Sequence, residues 1–334
     1  MDPSSILGAS TILSIADFGI RIADLKTDSR HHSSSKPILK PEISNRQSAI
    51  SNPSLPIGIF DSGVGGLTVY RALHERLPNE HFVYLGDTAR VPYGTKSLST
   101  VERYAIENSK FLEAHGIKLL VVACNTASAL ALPAIRAAVG LTVVGVIGPG
   151  ARAAAKIAAG KKVAVIATEA TVQSGAYAEA IAKTDPSITV IERACPLFVP
   201  LAEEGWGESD VARSVAEQYL SDLKEADLGA LVLGCTHYPI LRDLIGEAVG
   251  GEVPLIDSGA AAAAEVQALL EANQLAAPQA EPGRSERELC DDLDHFYVTD
   301  AAERFAKVAE RFLGTAPQVL EAVEIWGHDE LRTH

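Results

Sequence analysis

Two distant stretches of this chain repeat one arrangement, and that repetition limits the fold more than any other feature. Residues 118–129 read KLLVVACNTASA and residues 229–241 read GALVLGCTHYPIL. Each opens with a short apolar run, the pattern of a strand buried on both faces. Each then reaches a cysteine followed by small polar residues, Cys124-Asn125-Thr126 and Cys235-Thr236-His237. A helix-like segment follows both, with Pro133 or Pro239 near its start. Open α/β sheets bind ligands just beyond the carboxyl ends of their strands. Two thiols so placed, one per half of the chain, are expected to face one ligand.

The rest of the chain alternates strand and helix patterns, which predicts α/β layers with mostly parallel sheets in two doubly wound domains. Strands are expected at 57–60, 81–85, 142–147, 162–167, 188–192, 253–256 and 295–298. Helices are expected at 67–76, 99–115, 151–159, 211–226, 260–272 and 301–313, with Gly148-Pro149-Gly150 as a turn between strand and helix. Residues 274–294 are polar enough to read as an exposed loop, with Cys290 as a bystander thiol. Residues 1–55 differ from everything after them. From 31 to 56 they are rich in Ser, Pro, Lys and Asn with no sustained period, so they are expected to form a disordered extension.

A chain of 334 residues, 47% hydrophobic, can bury a large core, and its length fits two domains. The formal net charge of −14 argues against nucleic acid or an anionic membrane as partner. It leaves room for an anionic substrate held by backbone N–H groups at helix ends. The four cysteines are scattered with no C-x-x-C pair, as expected of a reduced, cytoplasmic protein. No apolar run is long enough to span a bilayer, and Asp2, Asp17, Arg21, Asp24 and Lys26 spoil a secretory signal.

Before the first predicted helix lies a glycine-rich turn, Asp61-Ser62-Gly63-Val64-Gly65-Gly66. Its glycines permit close backbone approach to a ligand, but it lacks the Lys-Ser/Thr of a phosphate loop. Asp61 would repel phosphate, so it suits a substrate ammonium or a proton-transfer role. Three chemistries remain open for the cysteines. Cys235 and His237, two residues apart on extended chain, could form a nucleophilic pair. Cys124, Cys235 and His237 could hold a metal, though the short ligand spacings are missing. Or the two thiols could act as acid and base on opposite faces of one carbon, which accounts for the duplicated motif and the lack of a cofactor signature. Cys195, in Ala194-Cys195-Pro196, reads as structural.

These motifs resemble the glutamate racemases of the cofactor-independent aspartate/glutamate racemase superfamily. The segments that carry the likeness are IGIFDSGVGGLTV, YLGDTARVPYG, VVACNTASA, the TEATVQSGAY run, PLFVPLAEEG, LVLGCTHYP and IDSGAAAA, spread from 56 to about 313. The resemblance implies a domain made of 56–148 plus 258–313, a second of 149–257, a tail at 314–334, and an active site between the domains. It implies interconversion of L- and D-glutamate without cofactor or metal, serving peptidoglycan synthesis in the cytoplasm, and it is compatible with a homodimer. Cys124 would take the proton of D-glutamate with help from Asp61, and Cys235 that of L-glutamate with help from His237. Substrate contacts would come from Asp61, Ser62, Pro92, Tyr93, Gly94, Asn125, Thr126, Thr171, Glu203, Thr236 and His237.

Overall fold

The computed structural model describes residues 52–278 and 287–325. The extension expected over 1–55 therefore falls almost wholly outside the described residues, as does the end of the expected tail. Ten strands run through the described part: β1 (Ile57–Asp61), β2 (Phe82–Gly86), β3 (Leu119–Val122), β4 (Thr142–Gly145), β5 (Lys162–Ala167), β6 (Val190–Ala194), β7 (Leu228–Gly234), β8 (Leu255–Asp257), β9 (His295–Val298) and β10 (Val319–Ala322). They form a six-stranded sheet, β10-β9-β2-β1-β3-β4, and a four-stranded sheet, β6-β5-β7-β8. Every pairing is parallel.

Parallel neighbours require crossovers, and helices supply them. The first sheet is crossed by α1 (Leu67–Arg76), α2 (Leu98–Ala114), α3 (Asn125–Leu130) and α4 (Leu132–Ala138). Then come α5 (Ile147–Ala158), α6 (Glu169–Ser174), α7 (Ala176–Thr184), α8 (Phe198–Glu203), α9 (Asp210–Leu220) and α10 (Arg242–Val249). Last are α11 (Ser258–Ala272), which packs on both α1 and α5, and α12 (Ala302–Leu313).

Strand side chains alternate faces, and both faces are covered. Ile57, Ile59, Leu119 and Val121 of the first sheet share one continuous core with Ala164, Ile166, Leu231 and Leu233 of the second. The opposite faces have cores of their own. Phe60, Leu120 and Val122 pack with Val101, Ala105 and Leu112 of α2. Val163, Val165, Ala230 and Val232 pack with Ala151, Ala154 and Ala158 of α5.

Three expectations are corrected. The strand at 142–147 stops at Gly145, and Gly148-Pro149-Gly150 is the first turn of α5, not a turn before it. A proline there loses nothing, because the first-turn N–H groups have no intrahelical acceptor. Residues 274–294 are not simply an exposed loop: Leu275, Cys290 and Asp294 are buried. Asp294 accepts from Tyr70 Oη at 2.7 Å and Phe82 N at 2.9 Å and pairs with Arg287 at 2.8 Å. Order also continues past 313, because β10 extends the first sheet beside β9.

Candidate active site

With all strands parallel, every carboxyl end in a sheet lies on the same edge. Asp61 closes β1 and Cys124 follows β3; Thr168 follows β5 and Cys235 follows β7. The two edges meet in one cleft with a cavity of about 80 Å³. From the first sheet's loops it is lined by Ser62, Pro92, Tyr93, Gly94, Cys124, Asn125 and Thr126. From the second come Thr168, Glu203, Cys235, Thr236 and His237. Of the residues expected at a site, Asp61 and Thr171 are set behind this lining.

Cys124 is the N-cap of α3. Its sulfur accepts from Ala127 N and its thiol reaches Ser62 Oγ, each at 3.5 Å. Burial, and then the charge of Asp61, push this thiol up to about 12, against the smaller opposing effect of those hydrogen bonds. Cys124 therefore carries its proton at neutral pH. Asp61 is fully buried and accepts from Gly63 N at 2.9 Å. Burial holds its carboxyl above the usual carboxylate range, although the charge on His237 and the N–H groups of Gly66, Gly63 and Ser62 pull the other way.

Cys235 has a different neighbour. His237 Nδ1 lies 3.8 Å from its sulfur, and Nε2 lies 3.0 Å from Glu203 Oε1. Burial disfavours the charged ring, but the hydrogen bonds to Cys235 and Glu203 outweigh it and raise His237 to about 10. The Glu203 carboxyl is correspondingly held low, first by its bond to His237. The ring is thus an imidazolium across the neutral range and offers the Cys235 sulfur a counter-charge. Loss of its proton is expected to set an alkaline limb of kcat/KM near pH 10. Glu203→Gln removes a carboxylate that favours the cation, so the limb is expected to move to lower pH. A pH–rate profile checks this, and an unmoved limb would show that Glu203 does not hold the charge.

The remaining polar groups divide into those facing the cleft and those supporting it. Asn125 Oδ1 accepts from Tyr177 Oη at 2.7 Å, and its Nδ2 lies 3.4 Å from Ser258 Oγ, so its amide is fixed from behind. Thr126, Thr168 and Thr171 form a hydroxyl triangle with edges of 3.0, 3.3 and 3.0 Å. Thr171 acts in it as the rear support. The Tyr93 hydroxyl donates to Asp87, away from the cleft, and accepts from Asn108 Nδ2 at 3.0 Å. Tyr93 therefore shapes the wall with its ring and backbone. Sequence reasoning passed over Thr168 as a lining residue, although its place just after β5 obeys the rule that found the cysteines.

One glycine lets the two strand edges close on each other, and the next makes room for Asp61. A Cβ on Gly65 would collide with Thr236 Oγ1 and lie 2.5 Å from Cε1 and Nδ1 of His237. A Cβ on Gly66 would lie 2.5 Å from Asp61 Cβ. Among the described residues, no three His, Cys, Asp or Glu side chains are grouped to hold a metal ion. Cys195 is buried in the shared core, away from the cleft lining.

Residues 57–266 match the Asp/Glu/Hydantoin racemase family. The chain is 52% identical to a glutamate racemase of Geobacter metallireducens over 262 residues, 78% of this chain and 94% of the relative. It is similar to the crystal structure of Francisella tularensis glutamate racemase in complex with D-glutamate (TM-score 0.73, 40% identity, 82% of this chain and 98% of that one). It is also similar to Escherichia coli glutamate racemase in complex with L-glutamate and the activator UDP-MurNAc-Ala (TM-score 0.65, 30% identity, 82% of this chain and 100% of that one). With the matched region taking in strands of both sheets and both cysteine-bearing strand ends, the chain belongs to the Asp/Glu/Hydantoin racemase family.

Proposed function

We propose that this protein is a glutamate racemase that interconverts L- and D-glutamate by proton transfer at the two faces of the α-carbon, without a cofactor. The observation that carries the reading is the pair of thiols at equivalent strand ends of two sheets, both lining one small cavity. Relatives holding D-glutamate and L-glutamate support the choice of substrate.

In the L-to-D direction the Cys235 thiolate, paired with the His237 imidazolium, takes the α-proton. The Cys124 thiol delivers its own proton to the opposite face, leaving Cys124 as thiolate and Cys235 as thiol. That product state is the one that accepts D-glutamate, with Asp61 beside Cys124. The raised Cys124 thiol suits the half of the cycle in which it delivers a proton. As the α-carbon loses its proton, negative charge grows on the α-carboxylate. Preset donors from Ser62, Thr126, Thr236 and the backbone at the start of α3 can stabilise it.

The domain division at 56–148 with 258–313 and at 149–257 is part of the proposal, supported by the separate strand sets of the two sheets. So is a cytoplasmic role in supplying D-glutamate for peptidoglycan, which the cell-wall-precursor activator of the E. coli relative supports. No helix among the described residues is long and apolar enough to cross a membrane. The acidic charge argues against nucleic acid as partner, and the reading leaves room for a homodimer. The deciding experiment is incubation with L-glutamate alone: optical rotation is expected to decay to zero, and persistent rotation would overturn the reading.

A further inference from the structure

A second chamber adjoins the catalytic cleft and takes no part in the chemistry above. Its cavity is about 290 Å³, against about 80 Å³ for the cleft. The two share Gly63, Val64, Val91 and Glu203 as a common wall. The far wall is Thr88, Asp300 and Ala301 with the start of α12, which brings Arg304, Phe305 and Val308. Helix α12 lies between β9 and β10 of the first sheet in sequence, while Glu203 ends α8 between strands of the second. Both halves of the molecule therefore build the chamber.

Helix α12 also reaches the catalytic groups. The Phe312 ring meets His237 edge-on, with centroids 5.9 Å apart. Arg311 Nη1 donates to the carbonyl of Glu203. Its stem runs close to Gly205, where a Cβ would lie 2.9 Å from Nε. Arg304 Nη2 stands 3.4 Å from Glu203 Oε2 and 3.8 Å from Glu204 Oε1. Glu203 thus joins His237 through one oxygen and faces Arg304 with the other.

Arg304 is held loosely. Its side chain is 66% exposed and both contacts are long, and a solvent-facing pair of this kind is weak and exchanges partners readily. The substrate of the proposed reaction carries two carboxylates, and the chain's net charge of −14 opposes its approach. A guanidinium at the rim of the larger chamber offers that anion a bidentate partner.

We propose that this chamber is the route by which an amino-acid dicarboxylate reaches the two cysteines, and that Arg304 is its receiving group, releasing Glu203 as it takes a substrate carboxylate. The choice of ligand rests on the glutamate reading. Arg304 is outside the cleft lining, so it serves capture and leaves proton transfer to the groups already described.

The test uses the full chain with Arg304→Ala, Arg304→Lys and Arg304→Glu. In racemisation assays Arg304→Glu is expected to raise KM by about tenfold, with kcat little changed and the difference shrinking at high salt. Arg304→Ala should fall between, and Arg304→Lys should restore most of the loss. A second readout needs no turnover: alkylation of Cys124 and Cys235, followed by peptide mass mapping, with anionic iodoacetate and neutral iodoacetamide. Arg304→Glu should slow iodoacetate and leave iodoacetamide unaffected. If the wild-type protein does not racemise glutamate, the functional reading falls and the alkylation ratio still decides the route. An unchanged ratio overturns the proposal. So does a loss confined to kcat, which would make Arg304 a support for the Glu203–His237 bond instead.

Discussion

Replacing Cys124 or Cys235 by serine is expected to lower racemisation on the order of 10³-fold, the scale of a lost acid–base group. A serine hydroxyl is too weak an acid to exchange protons with an α-carbon at neutral pH. The two substitutions act on one unit, so the double variant should lose far less than the product of the single losses. The enantiomers have equal free energy, so kcat/KM must fall by the same factor in both directions. Only kcat and KM separately can show which thiol serves which enantiomer. Heavy water gives the complementary test. At early conversion L-glutamate should yield D-glutamate labelled at the α-carbon, because the proton delivered by Cys124 has exchanged with solvent. Recovered L-glutamate should stay almost unlabelled. Label in the recovered substrate, or near-normal turnover by either serine variant, would sink the two-base assignment.

Gly65→Ala should be nearly as damaging, although Gly65 has no chemistry of its own. Its methyl would stand 2.5 Å from two atoms of the His237 ring and collide with Thr236 Oγ1. Both neighbours are buried and held. The ring is bonded to Glu203 at 3.0 Å, and the Thr236 carbonyl accepts from Thr68 Oγ1 at 2.8 Å. Either the glycine turn backs away and widens the cleft, or His237 leaves Cys235. A displacement of about 1 Å at a catalytic group costs about 10²-fold, so kcat/KM is expected to fall by that order while the far-ultraviolet circular dichroism stays native. Normal kinetics would show that the two edges need not approach so closely.

The residues that line the cleft from the strand ends were legible because local pattern and position coincide at them. An apolar run ending in Cys-Asn-Thr or Cys-Thr-His reads as strand, strand end and polar tip in a few residues. The glycine turn after β1 was legible for the same reason. What escaped was settled by partners far away in sequence. Nothing near Asp294 reveals that it sits in the core under Tyr70 and Phe82, more than 200 residues earlier. Pattern alone cannot tell a Gly-Pro-Gly turn from a helix start that tolerates proline. Strand β10 is short and half exposed, so its alternation is too weak to stand out. The hydroxyl of Tyr93 was legible as a polar group, but its direction, toward Asp87, depends on Asn108 in another helix.

The strand order has a consequence for how the enzyme matures on the ribosome. All four strands of the second sheet lie between residues 162 and 257, so it can close as soon as that stretch has emerged. The first sheet begins earlier and finishes later: β2, already paired with β1, gains its second neighbour only when β9 arrives, with Val83 pairing to His295. Contacts so distant along the chain form slowly, and until then β2 presents an open edge to other nascent chains. The sheet whose translation starts later is thus the one completed sooner. Cys124 follows β3, whose partners β1 and β4 are both translated by Gly145, so it is the far edge of the first sheet that waits for the end of synthesis.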